Sequence, residues 1–227
     1  TGIRRQRQMC IRDSNSTIQE IRLASTWMDA KRAILLFAGL AENKTIKSID
    51  LSGNYILRSE EAVAALANVL EKNTTIIHLN LRYTRVNNRV PLKRFAQALS
   101  YNTSLKNLNL ELCECGDEEA IALADALKQN STLTHLNLHH NKIGITGAIA
   151  LADALKQNST LTHLDLGLNK FRELGIIFLS YALMTNTTIQ ELNLERNIRF
   201  SEEMVKSLEN FLKLNNIHTR VKNLNIT

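Results

Sequence analysis

The chain has 227 residues, enough for one domain or two small ones with a substantial core. With only 8 Gly and 1 Pro, it cannot be collagen-like, a Pro/Gly-rich disordered segment or a β-sandwich dense in tight turns. A net charge of +6 keeps nucleic acid and acidic membranes in view as partners, and an odd count of 3 Cys does not read as a disulfide framework.

Residues 1–14 carry Arg4, Arg5, Arg7 and Arg12 with no apolar run behind them, so they do not form a signal peptide. They are expected to be a non-repeat extension, disordered or artefactual. The run Gln6 to Ser14 (QRQMCIRDS) resembles translated adapter read-through, a reading that in-frame genomic DNA would refute. The four Arg and one Asp of this segment hold +3 of the total charge of +6, leaving +3 for the other 213 residues, so much of the case for nucleic acid or membrane leaves with it. Nothing further along is long and apolar enough to suggest a membrane span.

From Ile18 onward one apolar frame, L-x-x-L-x-L, recurs with a period of 28 to 32 residues. Its first positions are Ile18, Ile46, Ile76, Leu105, Leu133, Leu161, Ile189 and Val221. Its second are Ile21, Ile49, Leu79, Leu108, Leu136, Leu164, Leu192 and Leu224, and its third run from Leu23 to Ile226. The stretches Ala122 to Leu138 and Ala150 to Leu166 differ only at Asn137 against Asp165, the mark of a recent duplication.

Each unit predicts strand, turn, helix and corner. The last two leucines of the frame are two apart and share one face of a short strand. Three residues after the third leucine stands Asn54, Asn141, Asn169 or Asn197, or else Thr84 or Cys113, each able to satisfy backbone groups as the chain leaves the strand. Ser59, Asp117, Thr146 and Ser201 are predicted N-caps, and Pro91 fits a first helical turn. Ala148, Leu151, Ala152 and Leu155 then make one apolar helical stripe. Asn43, Asn73, Asn102, Asn130, Asn158, Asn186 and Asn215 follow the helices, where a left-handed cap is expected. Most also match the glycosylation sequon, a weaker explanation than capping because capping covers every corner.

From Asn15 to Thr227 these units resemble the ribonuclease-inhibitor-type leucine-rich repeats, most clearly in ALADALKQNSTLTHLDLGLN from Ala150 to Asn169. The same repeat class occurs in Ran GTPase-activating proteins, the tropomodulin C-terminal domain and NOD-like receptor arrays. The resemblance implies an α/β solenoid of about eight repeats, a right-handed horseshoe with a curved parallel sheet on its concave side and helices on its convex side. It also implies a cytoplasmic protein that binds another protein.

In such a solenoid, equivalent strand positions stack into columns. One column holds Arg22, Asp50, Asn80, Asn109, Asn137, Asp165, Asn193 and Asn225; another holds Glu20, Ser48, His78, Asn107, His135, His163, Glu191 and Asn223. The next two include Arg82, Glu111, His139 and Glu195, then Tyr83, Leu112, His140, Leu168 and Arg196. This face is polar and mixed in charge, with no basic track and no series of stacked aromatics, which argues against nucleic acid. Five of the 6 His fall on it, only His218 lying elsewhere. A zinc site through His135, His139, His163 and Asp165 can be drawn, and calorimetry without heat would remove it. Histidine-tuned, pH-dependent binding is the stronger expectation, and affinity that stays flat across imidazole titration would remove that.

The remaining candidates favour structure over chemistry. Cys113 fills a turn position, Cys115 has no second pair to complete a metal cage, and Glu118/Glu119 and Glu202/Glu203 suit the start of a helix. No nucleophile elbow, phosphate-binding glycine loop or H-E-x-x-H motif occurs, so neither catalysis nor a cofactor is expected. Ile177, Tyr181 and Met184 make an apolar stripe on an outer helix face, suited to docking or to lateral packing. The sequence therefore predicts a monomeric, non-catalytic protein-interaction module, with neither nucleic acid nor membrane as partner. Expected contacts are Arg82, Tyr83, Glu111, Leu112, His135, His139, His140, His163, Asp165, Leu168, Glu195 and Arg196. The alternatives are regulation of a small GTPase in the manner of the Ran activators, separable by GTP turnover, and a sensing array of a larger NOD-like receptor. The frame is expected to be cut within its last repeat, leaving Val221, Leu224 and Ile226 poorly covered.

Overall fold

The computed structural model describes residues 17–86, 92–197, 202–214, 217 and 223–225. The expectations for residues 1–14, Pro91, Ser201, Asn215, His218, Val221 and Ile226, and for the side chains of Asn223, Leu224 and Asn225, lie outside the described residues.

Strand and helix alternate as the repeat dictates. The strands are β1 (Glu20–Arg22), β2 (Ser48–Asp50), β3 (His78–Asn80), β4 (Asn107–Asn109), β5 (His135–Asn137), β6 (His163–Asp165), β7 (Glu191–Asn193) and β8 (Asn223–Asn225). Between them run α1 (Ala30–Glu42), α2 (Glu60–Lys72), α3 (Lys93–Tyr101), α4 (Asp117–Leu127), α5 (Ile145–Gln157), α6 (Arg172–Thr185) and α7 (Glu202–Leu214), with a 3-10 turn at Ile56–Arg58. The eight strands form one parallel sheet in sequence order. Each pairs in register with the next, so that Leu136 faces Leu164 and His135 faces His163. Parallel strands stack about 4.8 Å apart whereas packed helices need 8–10 Å, so a stack of such units bends with its strands on the inner, concave side.

The core lies between the two layers. Leu136, Leu138, Leu164 and Leu166 from the strand frame meet the predicted stripe Ala148, Leu151, Ala152 and Leu155, all at most 2% exposed. Alanine in that stripe brings the helix close to the sheet.

Two asparagine ladders tie neighbouring units together. Asn141 Nδ2 donates to Leu110 O (2.9 Å) and Leu138 O (3.0 Å), while its Oδ1 accepts from the Cys115 amide (3.0 Å). Asn54, Asn169 and Asn197 bond to the leucine carbonyls around them in the same way. Where the ladder changes residue, Thr84 Oγ1 donates to Leu81 O at 2.6 Å and Cys113 Sγ to the same carbonyl at 3.0 Å.

The corner asparagines depart from expectation. Asn43, Asn73, Asn102, Asn158 and Asn186 are extended, not left-handed; Asn73, for instance, has φ −83° and ψ 129°. They form a second ladder on the helix side. Asn158 Nδ2 donates to Leu127 O (2.7 Å) and Asn130 O (3.2 Å), and its Oδ1 accepts from Thr160 N and Leu161 N. Cross-repeat bonding, not capping strain, thus selects asparagine at the corners. At Asn73, Asn102, Asn130, Asn158 and Asn186 burial hides the amide that a glycan would need.

The cap predictions divide. Ser59 accepts from Ala62 N as expected, and Asp29 caps α1 in the same manner. Asp117 and Thr146, however, lie inside their helices, behind the N-caps Gly116 and Gly144. Asp117 caps the following unit instead, its Oδ1 accepting from Gly144 N (2.7 Å) and Gly147 N (2.9 Å) at the start of α5.

Candidate functional site

A groove of about 790 Å³ runs along the strand face, lined from Glu20 on β1 to Asn193 on β7. The pleat produces it. The second leucine of each frame points into the core, and the residues on either side of it point out, which places both predicted columns at the surface.

Histidines dominate the middle. The His135 and His163 rings stack at 4.0 Å with 12° between their planes. Thr134 Oγ1 donates to Lys106 O, so it accepts from His135 Nδ1, and the proton of the neutral ring sits there. Thr162 fixes His163 identically, donating to Thr134 O and accepting from the ring. His163 Nε2 lies 3.6 Å from Glu191 Oε2, a contact that becomes an ion pair only when the ring is protonated. Burial lowers the His135 pKa, the positive charge of His163 and then His78 lower it further, and Glu191 pulls the other way.

Two side chains of the next column meet carboxylates. Arg82 Nε meets Glu111 Oε2 at 3.1 Å. His139 Nδ1 lies 3.1 Å from Asp165 Oδ1 and, since a carboxylate only accepts, carries the proton. Gly167 makes room for this ring, because a Cβ there would stand 2.7 Å from His139 Nδ1.

One column the sequence mistook for ordinary strand continuation is a turn. Ser25, Gly53, Tyr83, Leu112, His140, Leu168 and Arg196 all have φ between 52° and 70°. Each described member from Ser25 to Leu168 donates its amide to the next repeat, as Leu168 does to Glu195 O at 2.8 Å, so the parallel ladder runs one step past the strand before the chain turns left-handed. A left-handed backbone costs a non-glycine residue about 1–2 kcal/mol. Glycine takes the position once, so composition gave no signal of it. The large side chains are placed on the rim instead.

Of the expected contact residues, His135, His163 and Asp165 line the groove, and Tyr83, Leu112, His140, Leu168 and Arg196 form the left-handed rim. Arg82, Glu111, His139 and Glu195 lie between the two. Residues just beyond the rim were missed. Trp27 is 81% exposed, and Arg58 and Arg85 lie over the rings of Tyr55 and Tyr83 at 4.7 and 4.6 Å. Lys142 donates to Glu114 Oε2 at 2.8 Å and Arg85 lies 3.5 Å from Glu114 Oε1. The Lys142 hydrogen bond holds the Glu114 carboxyl below its usual range against the opposing effect of burial, helped by the charges of Lys142, Arg85 and Arg58.

Elsewhere the structure is plain. Cys113 and Cys115 are buried free thiols whose pKa values burial raises. No group of three or more His, Cys, Asp or Glu among the described residues is placed to hold a metal ion. No helix among the described residues is long and apolar enough to cross a membrane. On the convex side Tyr181 packs edge-on against Phe211 at 5.1 Å, as lateral packing requires, while half of it and of Met184 stays exposed.

Residues 78–175 match the family model described as the TMOD/LMOD leucine-rich domain. No curated protein matches. Among solved structures, "Leiomodin-1 Actin-Binding Site 2 (ABS2)" aligns at 20% identity with a TM-score of 0.46, covering 95% of this chain and 90% of that one. The Caenorhabditis elegans tropomodulin C-terminal domain aligns at 14% identity with a TM-score of 0.48, covering 85% and 96%. With its in-register repeat frame, single parallel sheet and paired asparagine ladders, the described part of the chain has the fold of an α/β leucine-rich-repeat solenoid.

Proposed function

We propose that this chain is a non-catalytic, cytoplasmic protein-interaction module that receives a partner protein on its strand face and left-handed rim. The observation that carries the reading is the rim column, where Tyr83, Leu112, His140, Leu168 and Arg196 share a backbone conformation that large residues avoid, His140 and Arg196 exposed and the other three half-buried. Tyr83 and Arg196 are of the types that most often anchor protein interfaces, Leu112 and Leu168 add apolar surface beside them, and the polar columns beneath supply hydrogen-bonding complementarity. On this face Arg82 pairs with Glu111 and His139 bonds to Asp165, so a polyanion would meet no continuous row of cations. Both described thiols are buried, which suits packing better than nucleophilic chemistry.

The expected contacts remain Arg82, Tyr83, Glu111, Leu112, His135, His139, His140, His163, Asp165, Leu168, Glu195 and Arg196. Actin is the first probe, because the leiomodin neighbour is named for an actin-binding site. Titrating labelled monomeric actin with the chain and with Leu168→Asp should show binding weakened at least tenfold by the substitution, the loss expected of a central anchor worth about 2 kcal/mol. Equal binding by both would contradict docking at the rim, and no binding by either would remove actin as the partner.

A further inference from the structure

We propose that the outer edge of the first three repeats, centred on Trp27, Tyr55 and Arg58, is a second docking surface, fitted to an acidic protein segment that offers an apolar side chain beside a carboxylate. It lies outside the strand-face columns and goes beyond the function proposed for them.

Register brings these residues together. Trp27, Tyr55 and Arg85 each stand four residues after the third leucine of their frame, at Leu23, Leu51 and Leu81. The bonds Ser25 N to Ser52 O (2.7 Å) and Gly53 N to Arg82 O (2.8 Å) carry the strand pairing into the loops. Asn54 Oδ1 then accepts from Met28 N at 2.8 Å, locking the first loop onto the second. Equivalent residues are consequently lateral neighbours, as strands are.

The chemistry is that of a receptor for a carboxylate next to an apolar group. Trp27 is the single tryptophan of the chain, and it is 81% exposed in a left-handed backbone that a bulky residue rarely adopts. Arg58 is exposed, and its guanidinium carbon sits over the Tyr55 ring, 4.7 Å from the centroid. Among the described residues it forms no ion pair. Arg85, by contrast, is held by Tyr83 Oη and Glu114. An exposed guanidinium held over a ring and without an ion pair is preorganised to take a carboxylate. One tryptophan beside a tyrosine gives little to insert into a bilayer, so the patch suits a protein segment better than a lipid surface.

Because no other tryptophan contributes, emission from the intact chain reports on this edge alone. The probe is a twelve-residue peptide of alternating Asp, Glu and Leu, free of aromatic residues, with a control in which Lys replaces every acid. The acidic peptide should shift Trp27 emission to the blue in a saturable manner, the control should not, and Arg58→Glu should weaken the effect at least tenfold. Leu168→Asp, on the rim of the strand face, should leave it unchanged, which separates this surface from the one proposed above. An emission unmoved by the acidic peptide, or moved equally in the Arg58→Glu chain, would overturn the proposal. So would a blue shift produced by phosphatidylserine vesicles and not by the peptide.

Discussion

His135 is the residue whose surroundings make the sharpest statement. Burial and its stack on His163 both oppose a charge, so its folded pKa lies below the ordinary imidazole value of about 6.5. The folded chain therefore binds fewer protons here than the unfolded one. This contribution to stability is present above the unfolded pKa and is lost as pH falls through the folded one. A histidine NMR titration should find His135 below the ordinary value, and His163→Asn should move it upward by removing the neighbouring charge but not the burial. A His135 value unchanged by that substitution would contradict the stacking account. Asn141 gives a prediction of another kind. Replacing it with Leu strands the buried Cys115 amide and the Leu110 carbonyl, so unfolding titrations should show a loss of about 2–4 kcal/mol. A cost below about 0.5 kcal/mol would mean that the ladder is ornament, since that is within the range of an ordinary surface change.

Glycines inside the helices show what an element alone conveys and what it does not. Gly39 in α1 and Gly147 in α5 look equally out of place by helix propensity, each about 1 kcal/mol worse than alanine. Their surroundings differ. A Cβ on Gly39 meets nothing within 4 Å, whereas one on Gly147 would lie 2.8 Å from Ala120 Cβ, Asp117 Oδ1 and Ile143 Cγ2. Gly39→Ala should raise the melting temperature and Gly147→Ala should lower it, and calorimetry giving both the same sign would refute the packing argument. Asp117 belongs to the same junction. Asp117→Ala should cost about 1 kcal/mol, read as faster amide exchange in the first turn of α5 and not only in its own helix. The frame, the helix stripe and the strand-side ladder were legible because each is written as a short periodic pattern. The Asp117 cap and the corner bonds were not, because their partners sit one repeat away and no local spacing reveals the direction of a side chain.

For the whole molecule, neighbour-to-neighbour contact decides how stability is distributed. The junction between α3 and α4 is looser than those on either side of it. α3 has 9 residues where α2 has 13, a groove of about 530 Å³ opens between α3 and α4, and the ladder there passes through Thr84 and Cys113 in place of asparagine. Hydrogen exchange should find α3 less protected than α5; equal protection would argue for a uniformly cooperative stack. The candidate site was legible as columns because register follows from the repeat. The left-handed rim escaped, since only Gly53 announced it, and so did Trp27 and Arg58, whose role depends on exposure and stacking. The central claim is that this register presents a protein-binding face on the strand side. It is tested most directly by placing a photoreactive phenylalanine analogue at Leu168 on the rim or at Asp153 on the convex face of α5, and crosslinking each chain in cell extract with and without excess unmodified chain. The account predicts a discrete protein adduct from position 168 alone, abolished by the competitor. Equal adducts from both positions, or one from 153 only, would contradict it.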